Sequence, residues 1–169
     1  MRSYHVPGLP PHLKAAPEKH NLCIVSADYR LAPQVRMPSI LSDVVDVMRW
    51  IHSSSFRKIT QGCADTGRVF ACGSSAGGWL ALLAGSGLGF AACGLSPPPC
   101  PRGVLAIYPI TDLTDPFWTT KQRPVSYMGG RLIDGPRELA TFLDPQQQAS
   151  SGSALDSPRS LFYHYMIQE

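Results

Sequence analysis

The sequence predicts an α/β fold, in which helices flank a parallel sheet. Three short apolar runs, each the length of a buried strand, alternate along the chain with two patterns typical of helices. The strand candidates are 22–27, 68–72 and 103–108, and the helix candidates between them are 38–52 and 76–84. Because this alternation favours a parallel sheet with right-handed crossovers, we expect one α/β domain in the 169 residues.

The composition excludes several classes of protein. Charged residues make up 16% of the chain and apolar residues 44%, which argues against intrinsic disorder. The net charge of +3 is too small for a nucleic-acid-binding surface, so we expect no nucleic-acid partner. The five cysteines form no C-x-x-C pair and no metal-ligand spacing occurs, so no metal or other cofactor is expected. Cys23 and Cys72 lie in apolar runs and are predicted to be buried.

Two segments bear on the location of the protein. Residues 1–7 lack the apolar stretch of a signal peptide, which predicts a cytoplasmic location. Residues 77–95 carry no charge and are long enough to cross a bilayer. Glycines recur through that segment and would weaken a continuous helix. We therefore favour a buried helix followed by a glycine-rich turn over a membrane span.

The helices are predicted from periodicity and from proline. Residues 11–20 form a short helix interrupted or ended at Pro17, with His20 at its end. The helix at 38–52 is the clearest, with Pro38 in its first turn and a loop after it at 53–67. Its apolar side chains recur on one face, at Ile40, Leu41, Val44, Val45, Met48 and Ile51.

The chain after the third strand candidate has a different character. Residues 111–169 are polar, contain prolines and show only weak periodicity, with short helices expected at 136–142 and 160–168. We predict one incomplete domain, in which 1–110 supply the sheet core and 111–169 form a cap-like or partly disordered region.

The motif that carries chemistry is Gly73-Ser74-Ser75-Ala76-Gly77, which matches G-x-S-x-G. It lies between a buried strand and a helix of small residues, where glycines permit a sharp turn. Ser75 would stand at the apex as a nucleophile, and the backbone N–H of Ala76 would face the oxyanion. The alternative is a phosphate-binding or purely structural glycine turn.

Three further segments complete a resemblance to a known family. They are Asp28-Tyr29-Arg30-Leu31-Ala32-Pro33, Met48-Arg49-Trp50-Ile51 and Ile107-Tyr108-Pro109 with Asp112-Leu113. With the serine motif they resemble the hormone-sensitive-lipase-like branch of the α/β-hydrolases over 13–115, and especially fungal members, some of which accompany natural-product pathways. The resemblance implies a partial α/β-hydrolase fold and hydrolysis of a small carboxylic ester through an acyl-Ser75 intermediate.

The sequence departs from this family in several places. Family members carry a His-Gly-Gly-Gly segment before the Asp-Tyr-Arg strand, and residues 5–8 do not match it. Ser74 replaces the usual Asp before the nucleophile. The family's triad Asp and His have no clear counterpart, although Asp144 or Asp156 with His164 has the right order. We therefore expect a chain truncated at both ends.

Two functional hypotheses follow. In the first, Ser75 is the nucleophile of an esterase. We expect inefficient turnover by this chain, because a serine without a base is a poor nucleophile. Alternatively, the chain is a non-catalytic relict or a pseudo-enzyme that binds a small ligand or a partner, as plant gibberellin receptors do on a similar fold. The sequence does not indicate whether the chain forms oligomers.

Overall fold

A computed structural model describes residues 11–121, 131–151 and 158–168. Within these ranges the strands are β1 (Phe70–Ser74) and β2 (Gly103–Ile107). The helices are α1 (Pro11–His20), α2 (Met37–Ile51), α3 (Ser54–Ile59), α4 (Ala76–Ser86), α5 (Pro116–Thr119), α6 (Gly135–Glu138), α7 (Ala140–Leu143) and α8 (Leu161–Gln168). Short 3-10 turns cover Ala91–Cys93 and Pro158–Ser160. Residues 5–8 and Asp156, considered above, lie outside the described residues.

The two strands pair in parallel, which confirms the predicted fold class. Phe70 lies opposite Gly103, and Ser74 lies opposite Ile107. The second and third predicted strands are thus confirmed, with small shifts of their bounds. The connection between them runs through α4, as a parallel pair requires.

Helix α4 packs very closely against one face of the sheet. A Cβ atom built on Gly85 would lie 2.4 Å from Cγ2 of Val104. A Cβ atom on Gly73 would lie 2.3 Å from the carbonyl carbon of Gly77. Because only hydrogen atoms fit at these positions, the glycines allow the helix to pack directly on the strands.

The opposite face of the sheet, called the bare face below, is exposed among the described residues. Side chains alternate across a strand, so it consists of residues two apart. Phe70 is 65% exposed, Leu105 60% and Ile107 44%. Cys72 is also exposed, so the prediction that it is buried is wrong. That prediction assumed a sheet covered on both faces.

The core lies between α2 and α4. Leu41 and Val45 of α2 pack with Leu80 of α4 and with Phe90, which has no exposed surface. A second cluster joins the end of α2 to α3 and consists of Met48, Ile51 and Phe56. The predicted apolar face of the first long helix is therefore confirmed, since four of its six residues are buried and the other two are half-buried.

The first predicted strand, 22–27, is wrong: this segment forms no strand in the described structure. Leu22 is 50% exposed and Cys23 is exposed as well, which also corrects the prediction that Cys23 is buried. Val25 packs against the second cluster, as does Val69, the residue before β1. An apolar run becomes a strand only where another strand pairs with it, and none of the described strands does.

Arg30, which follows the 22–27 segment, forms hydrogen bonds and an ion pair with α2. Its side chain donates to both carboxylate oxygens of Asp43, to Oδ1 at 2.7 Å and to Oδ2 at 3.0 Å, and its backbone N–H donates to Oδ2 at 2.8 Å. Burial opposes ionisation of Asp43, but these hydrogen bonds and the charge of Arg30 outweigh it and lower its pKa. The contact is a forked ion pair with fixed geometry.

The predicted loop at 53–67 contains a short helix that sequence reasoning missed. The Ser53 hydroxyl accepts a hydrogen bond from the Phe56 N–H at 3.2 Å and caps α3. Residues 65–67 form a turn, in which the Gly67 N–H donates to the Asp65 side chain. A serine cap before a buried phenylalanine was the signal for this helix.

The later part of the chain contains the expected short helices. α6 and α7 lie in the first predicted helical stretch, and α8 in the second. Gln34 donates to the carbonyl oxygens of Phe142 and Asp144, and Arg159 donates to that of Ala32. These hydrogen bonds attach the later region to the chain before α2. The division of the domain at residue 110 stays a prediction.

No helix in the described ranges combines the length and the apolar character that crossing a membrane requires. The segment considered above as a span instead holds α4, which ends at Ser86. Gly87 follows in the left-handed conformation with a φ of 71°. The predicted helix and glycine-rich turn therefore explain this uncharged segment.

Candidate active site

Ser75 occupies the turn between β1 and α4 in an unusual backbone conformation. Its φ is 52° and its ψ is −123°, a region that side-chain-bearing residues seldom adopt. Two hydrogen bonds hold it there: its N–H donates to the Ile107 carbonyl, and its carbonyl accepts from the Trp79 N–H, both at 3.0 Å. Such strain costs about 1–3 kcal/mol and persists where the surrounding structure fixes it.

The glycines around Ser75 do not share one role. Gly73 requires the absence of a Cβ atom, because such an atom would overlap the Gly77 carbonyl. Gly78 is also close-packed, with its Cβ position 3.0 Å from the Gly73 carbonyl oxygen. Gly77 itself has open space around its Cβ position. The close packing of the turn therefore requires glycine at Gly73 and Gly78, and not at Gly77, the last residue of the motif.

The Ser75 side chain borders a cavity of about 370 Å³. Its hydroxyl makes no hydrogen bond with the described residues and does not cap α4. Three aromatic side chains, Tyr108, Trp118 and Tyr163, line the same cavity. Tyr108 follows β2 directly and also has a positive φ, of 37°. Residues at the carboxyl ends of both strands therefore meet here, where ligands bind in open parallel sheets.

Asp112 and Asp115 also line this cavity, and hydrogen bonds hold their carboxylates in place. Asp112 accepts from the Thr114 N–H at 2.8 Å and from its hydroxyl at 2.6 Å. These bonds lower the pKa of Asp112. Asp115 accepts from the Phe117 N–H at 2.8 Å and caps α5. The lining residues in the described ranges include no lysine, arginine or histidine.

Ala76 is the first residue of α4, so its backbone N–H has no partner within the helix. It directly follows the strained Ser75. This is the position from which an N–H could face an oxyanion formed beside the serine. The assignments of Ser75 as nucleophile and Ala76 as oxyanion donor stay predictions.

Of the other candidate residues, His164 and Asp144 lie in the described ranges and are positioned by other elements. His164 lies in α8, where its ring contacts that of Tyr163 edge-on with centroids 5.6 Å apart. Asp144 follows α7 and accepts a hydrogen bond from the Gln146 N–H. Neither residue lines the cavity. The described residues therefore show no triad at Ser75.

The described residues contain no metal site and one further cavity of comparable size. No group of three or more His, Cys, Asp or Glu side chains in these ranges lies close enough to hold a metal ion. A larger cavity, about 460 Å³, lies between residues 25–28 and α2. None of the serine-motif residues lines it, so the smaller cavity is the candidate site.

Sequence reasoning missed the aromatic wall of the cavity. Tyr108 had a usable signal, because it follows a predicted strand and must lie near the end of its neighbour. Trp118 and Tyr163 had none, since short helices outside the sheet position them. Their contribution depends on tertiary packing alone.

Comparison with known proteins agrees with the geometry of the turn. The family described as alpha/beta hydrolase fold matches residues 12–150. The non-reducing polyketide synthase ausA of Aspergillus calidoustus is 40% identical over 161 residues, which cover 84% of this chain and 6% of the synthase. Carboxylesterase 20 of Arabidopsis thaliana is 43% identical over 65 residues, 38% of this chain and 20% of that enzyme.

A second plant enzyme, 3-O-acetylpapaveroxine carboxylesterase CXE2 of Papaver somniferum, is 34% identical over 67 residues, 36% of this chain and 21% of that enzyme. The chain thus spans about a fifth or less of the length of these curated relatives. No solved structure matches it significantly. These matches confirm the predicted resemblance, including the predicted similarity to fungal proteins of natural-product pathways. The chain belongs to the α/β-hydrolase family.

Proposed function

We propose that the chain binds a small carboxylic ester in the cavity beside Ser75 and hydrolyses it slowly through an acyl-Ser75 intermediate. The observation that carries this proposal is the strained backbone of Ser75, whose φ of 52° sets it at the end of β1 beside the cavity. Strain of this kind at a strand-to-helix turn is characteristic of an exposed nucleophile. The two plant carboxylesterases support an ester as the substrate class.

The proposed reaction has two steps. The Ser75 oxygen attacks the ester carbonyl carbon, its proton passes to a base, and the carbonyl oxygen becomes an oxyanion facing the Ala76 N–H. The C–O bond to the alcohol then breaks, and the alcohol leaves with a proton. In the second step water attacks the acyl group, which leaves as the carboxylic acid and restores the Ser75 hydroxyl.

We expect turnover well below the roughly 10 s⁻¹ that is typical of enzymes. The described residues lining the cavity include no histidine to take the Ser75 proton. Asp112 is a weak substitute, because the hydrogen bonds from Thr114 lower its pKa and a carboxylate of low pKa is a poor base. In the proposed reaction the proton therefore passes to water or buffer.

A second candidate function is binding of a small ligand without turnover. The same cavity lining favours it, because aromatic walls and two fixed carboxylates can hold a ligand without any base. The two functions differ in one observable, which is whether an acyl group becomes attached to Ser75.

Incubation with p-nitrophenyl acetate separates these functions. Released p-nitrophenol would be followed by absorbance, and acetylated chain by intact mass. The wild type is expected to accumulate acetyl-Ser75, and Ser75→Ala to accumulate none. Ser74→Ala is the matched control, because Ser74 is the adjacent serine of the motif but belongs to the bare face.

Imidazole in the buffer would supply a base from solution. We expect it to accelerate acetylation of the wild type and not of Ser75→Ala, which also measures the background reaction of imidazole with the ester. Acetylation that persists in Ser75→Ala would contradict the assignment of the nucleophile. A folded wild type that stays unacetylated with imidazole present would favour binding without turnover.

A further inference from the structure

We propose that the Ser75 cavity selects its ester by charge, taking esters that carry a cationic ammonium group in preference to neutral ones and rejecting those that carry a carboxylate. This inference rests on the proposed function, because it names the substrate class of the same site. Its basis is that two aspartates and three aromatic residues line the same cavity as one serine.

The two carboxylates are fixed rather than free to turn away. Asp112 is held by both the N–H and the hydroxyl of Thr114, and Asp115 by the Phe117 N–H. All of these hydrogen bonds go to one oxygen of each carboxylate, Oδ1. The backbone N–H of Asp115 also interacts with the Asp112 carboxylate. In both groups Oδ2 takes no bond from Thr114 or Phe117 and can accept one from a ligand.

The described residues that line the cavity place no cation beside the two carboxylates. The pKa of Asp112 is lowered by its bonds to Thr114, so this group is ionised well below pH 7. The described lining residues include no lysine, arginine or histidine that would neutralise the pair. An anionic group entering a cavity of about 370 Å³ comes within a Debye length of both carboxylates, so salt screens the repulsion only partly.

The aromatic side chains add a reason for an ammonium group in particular. Tyr108 and Tyr163 line the cavity with Trp118, whose ring is held edge-on against Phe117 with centroids 4.7 Å apart. Aromatic rings attract cations through their negative faces, and quaternary ammonium groups are recognised in this way. Carboxylates and aromatic rings therefore favour the same sign of ligand charge.

Three phosphonate probes with one common leaving group test this selection. Their appended groups are trimethylammonioethyl, its uncharged isostere 3,3-dimethylbutyl, and carboxyethyl. The readout is the rate at which Ser75 gains the phosphonyl group, by intact mass. In the wild type we expect roughly threefold to tenfold faster labelling by the cationic probe than by the neutral one, and a similar further drop for the anionic one.

Isosteric variants identify the cause. Asp112→Asn and Asp115→Asn, alone and together, keep a side-chain oxygen for the bonds to Thr114 and Phe117 but remove the charge. We expect the double variant to bring the anionic probe close to the neutral one. Asp65→Asn is the matched control, because Asp65 forms the same kind of turn at Gly67 outside the cavity, and it should leave all three rates unchanged.

The outcomes separate this inference from the function on which it rests. Equal rates for the three probes, or an unchanged preference in the double variant, would overturn charge selection while leaving the Ser75 nucleophile intact. Failure of all three probes on a folded chain would overturn the esterase proposal and the selection with it. A preference that shrinks as salt is raised would support the electrostatic cause.

Discussion

The two faces of the β1–β2 sheet are built in opposite ways. The face under α4 carries Ala71, Gly73, Val104 and Ala106, and at Gly73 and Gly85 the packing is close enough to exclude even a methyl group. The bare face carries large apolar side chains, such as Phe70 and Leu105, that remain mostly exposed. The strained Ser75 joins β1 to α4, so its geometry depends on the covered face. We therefore expect substitutions on the covered side to affect folding and the site, and those on the bare face to affect neither strongly.

The largest expected effect is that of Gly73→Ala. Its Cβ atom would lie 2.3 Å from the carbonyl carbon and oxygen of Gly77, which are backbone atoms that cannot move aside. We expect a loss of roughly 3 kcal/mol or more in the free energy of unfolding, measured by urea denaturation, together with loss of Ser75 labelling.

Gly77→Ala is the matched control for this substitution. The Cβ position of Gly77 has no atom within 4 Å, and an alanine in a helix is intrinsically favoured over glycine by about 1 kcal/mol. Its stability should equal or exceed that of the wild type. Equal destabilisation by both substitutions would mean that close packing at Gly73 does not explain the turn.

The next largest effect on the free energy of unfolding is expected from two leucines, one in the core and one on the bare face. Leu41 is 1% exposed between α2 and α4, whereas Leu105 on the bare face is 60% exposed. Leu41→Ala should lower the free energy of unfolding by about 2–5 kcal/mol, because it leaves a cavity in the core. Leu105→Ala should lower it by less than about 1 kcal/mol. Losses of similar size would show that the bare face is covered in the folded protein.

The smallest effect concerns the ion pair between Arg30 and α2. Because the pKa of Asp43 is lowered in the folded chain, the pair contributes stability above the ordinary pKa of about 4 and loses it as the pH falls through the lowered value. Arg30→Met should reduce stability at pH 7 and make little difference near pH 2. Both groups retain solvent contact, so the change is expected to be small.

Asp46→Asn provides the comparison for that experiment. Asp46 lies on the same helix and is exposed, and no hydrogen bond from Arg30 reaches it. Its substitution should leave the pH profile of stability nearly unchanged. A pH dependence that is the same in Arg30→Met as in the wild type would contradict the role given to the pair.

Local patterns predicted the parts of the fold that depend on local forces. The apolar face of α2 was readable because Leu41, Val45 and Met48 recur at helical spacing. The run at 22–27 failed because a strand is defined by its neighbour, and none of the described strands pairs with it. Propensity could not supply that information.

In the candidate site, too, only the parts that depend on local sequence could be predicted. The turn at Ser75 was predicted from five consecutive residues, because a strand, a glycine and a helix of small residues dictate it locally. The motif did not distinguish the close-packed Gly78 from the open Gly77. Tyr163 reaches the cavity from α8, and no local pattern in the sequence connects it with Ser75.

The most direct test of this account is labelling by a fluorophosphonate, which forms a covalent adduct with a nucleophilic serine. Wild type, Ser75→Ala and Ser74→Ala would be compared by intact mass and peptide mapping, with circular dichroism confirming that each is folded. The account predicts one adduct on Ser75 in the wild type and in Ser74→Ala, and none in Ser75→Ala. A folded wild type without an adduct, or an adduct that remains in Ser75→Ala, would contradict it.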